Sequence, residues 1–110
     1  MAGLSLTFWP NPVYSNHPAE KRWYFSVAVR EVAAQSVHVR QYRGEWYDLD
    51  GRLLETKEER LDMHLGPLQH LSYADLWVTS AITQFRYRLI LIGRDAQQRE
   101  MSTEGVLLCQ

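Results

Sequence analysis

Three groups of residues in this chain have the types and spacing that chemistry can use. The first is acidic: Gly44-Glu45-Trp46-Tyr47 runs into Asp48-Leu49-Asp50-Gly51, where carboxylates invite a calcium reading. An EF-hand loop needs oxygen ligands at its positions 1, 3 and 5, glycine at 6 and glutamate at 12. With Gly51 at position 6, Asp48 and Asp50 fall at 3 and 5, but Trp46 falls at 1 and Lys57 at 12. An indole does not ligate and an ammonium repels the cation. The stretch is expected to be a hairpin instead, because Asp-Gly tolerates the positive φ of a tight turn.

The second group is imidazole. His17 lies in a proline-containing loop, His38 on a strand, and His64 and His70 on either side of Gly66-Pro67. A transition-metal site needs three or four converging ligands. Asp62, His64 and His70 would converge if their loop folded back, which is the metal-carrier reading, with Met63-His64 as a copper variant. Their spacing matches no familiar metal motif, so scattered surface histidines are the plainer expectation and no cofactor is expected.

The third group is aromatic: four tryptophans and six tyrosines in 110 residues. Most are expected in a core. Successive strand residues point to opposite faces, however, so one of Trp46 and Tyr47 must leave the inner face. An exposed ring near Tyr42 and Arg43, or at Trp77, would stack on a sugar or anchor a protein partner. Trp46, Tyr47, Tyr42, Arg43 and Trp77 are therefore the candidate binding surface.

Other chemistries find little support. No serine sits in a G-x-S-x-G elbow and the six glycines are dispersed, with no phosphate cradle among them. Glu58-Glu59 lies in a charged, solvated stretch. Cys109 is the single cysteine, so no internal disulfide forms, and a small strand residue, not a nucleophile, is its expected role. These features predict a protein that is not an enzyme. Twelve basic against thirteen acidic residues leave a net charge of −1. Without a basic stripe, nucleic-acid binding is not expected. There is no apolar run long enough to span a membrane and no signal-peptide pattern. The expectation is a cytoplasmic protein or a module of a longer exported chain.

The elements that must position these residues read as strands. Trp23, Phe25, Val27 and Val29 alternate with Tyr24, Ser26, Ala28 and Arg30, and Phe85, Tyr87, Leu89 and Leu91 alternate with Arg86, Arg88, Ile90 and Ile92. Pro10-Asn11-Pro12, Asp50-Gly51, Gly66-Pro67 and Gly93-Arg94-Asp95-Ala96 punctuate the runs. About seven strands are expected, near 4–9, 22–32, 37–48, 52–57, 70–79, 84–93 and 100–108, in one domain over 1–110. Residues 56–65 dissent, because Thr56-Lys57-Glu58-Glu59-Arg60 contains strong helix formers and Leu54, Leu61 and Leu65 lie near helical spacing. A short helical turn is one reading there, and a charged, solvated crossover is the favoured one. The fold class expected is all-β, an antiparallel immunoglobulin-like β-sandwich.

Longer stretches carry a resemblance. Phe8-Trp9-Pro10-Asn11-Pro12-Val13, the aromatic strand Trp23–Glu31 ending in Arg-Glu, Tyr47-Asp48-Leu49-Asp50-Gly51-Arg52-Leu53 and Phe85-Arg86-Tyr87 through Gly93-Arg94-Asp95 together resemble bacterial immunoglobulin-like or fibronectin-type-III-like sandwich modules. Such modules commonly place a glycine turn after the Arg-Glu strand, where this chain has Ala33-Ala34-Gln35-Ser36. The resemblance implies no catalytic residues. The leading expectation is a non-catalytic interaction module that binds a protein partner, or itself, through a sheet face or edge strand. A carbohydrate-binding module using exposed Trp or Tyr, and a small metal carrier, are the alternatives.

Overall fold

The computed structural model describes residues 3–15 and 21–110. They form seven strands: β1 (Leu4–Trp9), β2 (Arg22–Glu31), β3 (Val37–Tyr47), β4 (Leu53–Leu65), β5 (His70–Thr79), β6 (Phe85–Asp95) and β7 (Glu100–Cys109). A three-stranded sheet, β1-β2-β5, packs on a four-stranded sheet, β4-β3-β6-β7. Every pairing is antiparallel, so the fold is an all-β sandwich. Among the described residues no helix is long and apolar enough to cross a membrane.

Residues 56–65 overturn both expectations for that segment. They belong to one 13-residue strand, neither a helical turn nor a crossover. β4 pairs with β3 from Val37 opposite Leu65 to Tyr47 opposite Leu53, with a register shift between Val39 and Gln41. Its last residues also alternate, since Leu61, Met63 and Leu65 turn inward while Arg60, Asp62 and His64 are exposed. A continuous backbone ladder and cross-strand pairs such as Arg43–Glu58 outweigh the small helix preference of Lys and Glu.

The period-two runs become the inner faces. Trp23, Phe25, Val27 and Val29 of β2 are buried, as are Phe85, Tyr87 and Leu91 of β6. Trp23 meets Phe85 edge-on with ring centroids 4.9 Å apart, and its indole N–H donates to the Gln110 carbonyl at 2.9 Å. Two turns are built on aspartate. Asp48 Oδ1 accepts from the Asp50 and Arg52 amides at 3.0 and 2.8 Å, with Gly51 at φ +89°. Asp95 Oδ1 accepts from the Gln97 and Arg99 amides, both at 2.9 Å. Gly93 therefore lies inside β6 and not in the turn. A Cβ there would come within 2.3 Å of the His38 carbonyl oxygen, at the irregular step where β3 passes closest.

The two long sides of the sandwich differ. On one, β1 lies against β7. Thr103 Oγ1 donates to the Leu4 carbonyl at 3.2 Å, and Asn11 bonds the β7 backbone through its amide, to the Val106 carbonyl and from the Leu108 amide. Val13 then bridges Cys109 in parallel. With β1 against β7, the three strands of one sheet cover three of the four opposite, and β4 is left without a strand facing it.

Candidate functional site

On that uncovered side a cleft of about 580 Å³ opens between β5 and β4. Strand periodicity supplies its walls. Leu71, Tyr73, Leu76 and Val78 pair with the inward Val29, Val27, Phe25 and Trp23 of β2, so they point toward the space between the sheets. Tyr73 and Leu76 are nevertheless 44% and 37% exposed, because no strand among the described residues lies beyond them. Leu61 and Met63 of β4 stand opposite, and the Tyr73 hydroxyl reaches Met63 Sδ at 3.7 Å. The floor is the core itself, with Phe25, Val27, Tyr87 and Leu89 among its residues. Gly44 leaves room for the Tyr87 ring, since a Cβ there would lie 2.7 Å from its hydroxyl.

One end of the cleft is polar. Tyr42 donates to Glu59 Oε2 at 2.8 Å, and Lys57 Nζ lies 3.1 Å from Glu59 Oε1. Partial burial pushes the Tyr42 phenol up to about 12, helped by the adjacent Glu59 carboxylate. The Tyr42 bond and Lys57 hold Glu59 below the usual carboxylate range. The cleft is thus apolar along its length and carries a charged pair at one end.

The candidate aromatic residues separate. Trp46 faces inward, packs on Tyr87 with centroids 4.9 Å apart and is buried. Tyr47 points outward, yet its hydroxyl donates to Glu45 Oε1 at 2.8 Å. Glu45 is itself buried, 2.9 Å from Arg43 Nε and 3.0 Å from Arg88 Nη1. Burial tends to raise its pKa, and the Tyr47 and Arg88 hydrogen bonds overcome that and hold the group ionised, with its pKa lowered. Arg43 also pairs with Glu58, and Arg88 with Glu104. Tyr47 and Arg43 are therefore members of an ion network on the outer face, and only Tyr42 of that neighbourhood reaches the cleft. Trp77 is 53% exposed at the cleft rim, its ring beside Tyr24 and its face shared with the Arg22 guanidinium 5.5 Å away.

The metal candidates separate too. His70 starts β5, opposite Arg30 in the three-stranded sheet, while Asp62 and His64 lie on β4 in the other. The imidazole that joins Asp62 and His64 is His38, on β3 directly opposite His64. His17 lies outside the described residues. Cys109 is fully buried, and burial pushes its thiol up to about 12, so it stays protonated at neutral pH.

One residue that sequence reasoning passed over organises an end of the molecule. Glu31 is fully buried and accepts from four backbone amides: Gly3, Ala33, Gln35 and Leu68, at 2.9–3.2 Å. Burial acts to raise its pKa, and the four donors reverse that and bring it down to about 2. Its carboxylate closes the turn in which Ala34 takes φ +58°. The signal was present, since Glu31 continues the inward series Trp23, Phe25, Val27, Val29.

No family model matches this chain, and no curated protein matches it. Solved structures do resemble it. A Bordetella pertussis protein named as a candidate ApaA protein superimposes with a TM-score of 0.66 at 13% identity, over 97% of this chain and 92% of that one. The Northeast Structural Genomics Consortium target SoR45 gives a TM-score of 0.59 at 8% identity, over 97% of this chain and 84% of that one. At such identities the likeness concerns the fold alone.

Proposed function

We propose that this chain is a non-catalytic interaction module that takes up an extended segment of a protein partner beside β5. The observation that carries this reading is the mismatch of the sheets: three strands face four, and the missing place lies over the open cleft. A strand added beside β5, an edge strand among the described residues, would meet backbone groups unpaired among those residues, and its alternate side chains would enter the cleft over Leu61 and Met63. The two edges at the cleft mouth are not equivalent. β4 is ionisable at seven of its 13 positions, a composition that discourages pairing, whereas β5 carries only His70 and Asp75 besides the Tyr73 phenol. The strand order also supports an immunoglobulin-like assignment. β1, β2 and β5 correspond to A, B and E, and β3, β6 and β7 to C, F and G, with the fourth strand joined to β3 instead of to β5. The preferred segment is apolar at alternate positions, with a polar residue to meet Lys57 and Glu59.

Selection of displayed peptides on the purified chain, followed by amide chemical-shift mapping, tests the proposal. Alternating peptides should shift and protect β5 amides together with Tyr73 and Leu76, and Leu76→Glu should abolish binding. Selected peptides that bind the outer face at Glu45, or that bind equally well to the Leu76→Glu variant, would overturn it.

A further inference from the structure

The outer face of the four-stranded sheet, at a point where Asp62 also borders the cleft, gathers three ligating side chains. His38 and His64 are direct cross-strand partners, and Asp62 shares the face of His64 because it lies two residues before it on the same strand. The imidazole rings stack with centroids 3.9 Å apart and planes 8° from parallel. Both present Nε2, not Nδ1, to the same carboxylate oxygen: Asp62 Oδ1 is 2.7 Å from His38 Nε2 and 3.0 Å from His64 Nε2. The ligating atoms all lie within 4.8 Å of one another.

We propose that His38, Asp62 and His64 form a surface site for a late first-row divalent cation such as Zn²⁺ or Cu²⁺. Two imidazole nitrogens and one carboxylate oxygen are the donor set these ions favour over Mg²⁺ or Ca²⁺, which take oxygen ligands. Three protein ligands leave a tetrahedral position open. A depression of about 230 Å³ borders His38 and His64, with room there for water or a donor from a bound molecule. Bonds of about 2.0–2.2 Å to a tetrahedral ion hold ligand atoms roughly 3.3–3.6 Å apart, so the carboxylate must recede by about half an ångström. The His64 ring must also tilt out of its parallel stack on His38, so that both Nε2 lone pairs meet the ion. Asp62 and His64 are 80% and 69% exposed and free to make that adjustment.

The surroundings set the direction in which affinity can be tuned. Arg40 Nε donates to His38 Nδ1 at 3.4 Å, which keeps the ring proton on Nε2. Coordination through Nε2 moves that proton to Nδ1, and Arg40 must then withdraw. Arg94 of β6, opposite His38, adds a second cation nearby. Arg40 is therefore a restraint on the site, and its removal is expected to tighten binding.

The full chain, stripped with a chelator, is titrated with Zn²⁺ against a chromogenic competitor, and ¹⁵N imidazole spectra are recorded alongside. One ion per chain is expected, with the Nε2 resonances of His38 and His64 shifted and those of His70 unmoved. His38→Gln and His64→Gln should each weaken binding by at least the roughly tenfold that loss of a supporting partner costs in metal sites. His70→Gln should leave it unchanged and Arg40→Gln should strengthen it. Zn²⁺ affinity unaltered in both His38→Gln and His64→Gln, or no ion held against the weakest competitor, would overturn the assignment. Neither histidine is buried, so circular dichroism of the variants should match the parent and a loss of binding reads on the site.

Discussion

The two long sides of this sandwich are made from the same kinds of residue and reach opposite ends. On the β1/β7 side, Asn11, Thr103 and Val13 lash one sheet to the other, and Phe8 packs edge-on against Phe25 at 5.5 Å. On the β4/β5 side, inward-facing Tyr73 and Leu76 remain substantially exposed, and Lys57 lines part of the space. The difference does not lie in hydrophobicity, since both sides offer apolar inward positions. It lies in strand number: a sheet of three can cover only three of four. Sealing one side with hydrogen bonds leaves the uncovered strand on the other, where the proposed strand-capture cleft lies.

The sharpest break in this comparison comes from the sealed side. Phe8→Ala removes a side chain that is only 6% exposed, within a well-packed cluster. It should cost about 3–5 kcal/mol in urea denaturation, the usual range for emptying an aromatic core position. Gly105→Ala comes next. Its added Cβ would lie 2.9 Å from Phe8 Cε2 and 3.2 Å from Leu6 Cδ2, so the seam must part or the Phe8 and Leu6 side chains must shift. Overpacking of this kind costs about 1–3 kcal/mol. If Gly105→Ala is neutral, the seam is looser than these contacts imply.

Glu31 touches both sides, because its donors include Gly3 before β1 and Leu68 between β4 and β5. Its pKa falls from the usual carboxylate range to about 2 in the folded chain, so the folded state binds fewer protons than the unfolded one. The stability this contributes is fully present above the ordinary carboxylate pKa and is lost as pH drops toward about 2. Glu31→Gln should lower the melting temperature at neutral pH and flatten the acid limb of the stability profile. An acid limb unchanged in Glu31→Gln would assign it to other carboxylates, Glu45 first.

Much of this was legible in the residues, and what was not has identifiable causes. The period-two runs located six of the seven strands to within a residue or two, because a half-buried strand must alternate. β4 was expected only near 52–57 and runs on to Leu65: Lys57 to Arg60 are exposed on both faces and break the alternation, so only pairing with β3 carries the strand through to the alternating Leu61, Met63 and Leu65. The alternation rule also framed the Trp46/Tyr47 question without answering it. The register shift between Val39 and Gln41 decides which ring turns in, and no local pattern announces that shift. His38 was visible as a strand histidine, but its meeting with His64 needs the β3/β4 register. Proximity in sequence favoured His70, which the turn after β4 carries to the opposite sheet.

The smallest expected effect sharpens the comparison most. Leu76→Ala and Tyr73→Ala truncate side chains that point inward, as Phe8 does, yet they should cost no more than about 1 kcal/mol each. A truncation in a closed core leaves an unfilled cavity whose walls lose their contacts, and that cavity term makes core deletions expensive. Leu76 and Tyr73 already border solvent, so the space they vacate fills with water and only a reduced transfer term remains. Equal inward direction with unequal cost would separate an open side from a sealed one by thermodynamics alone. Should Leu76→Ala cost as much as Phe8→Ala, the cleft is closed in solution, β5 has no vacancy beside it, and the strand-capture proposal loses its geometric basis.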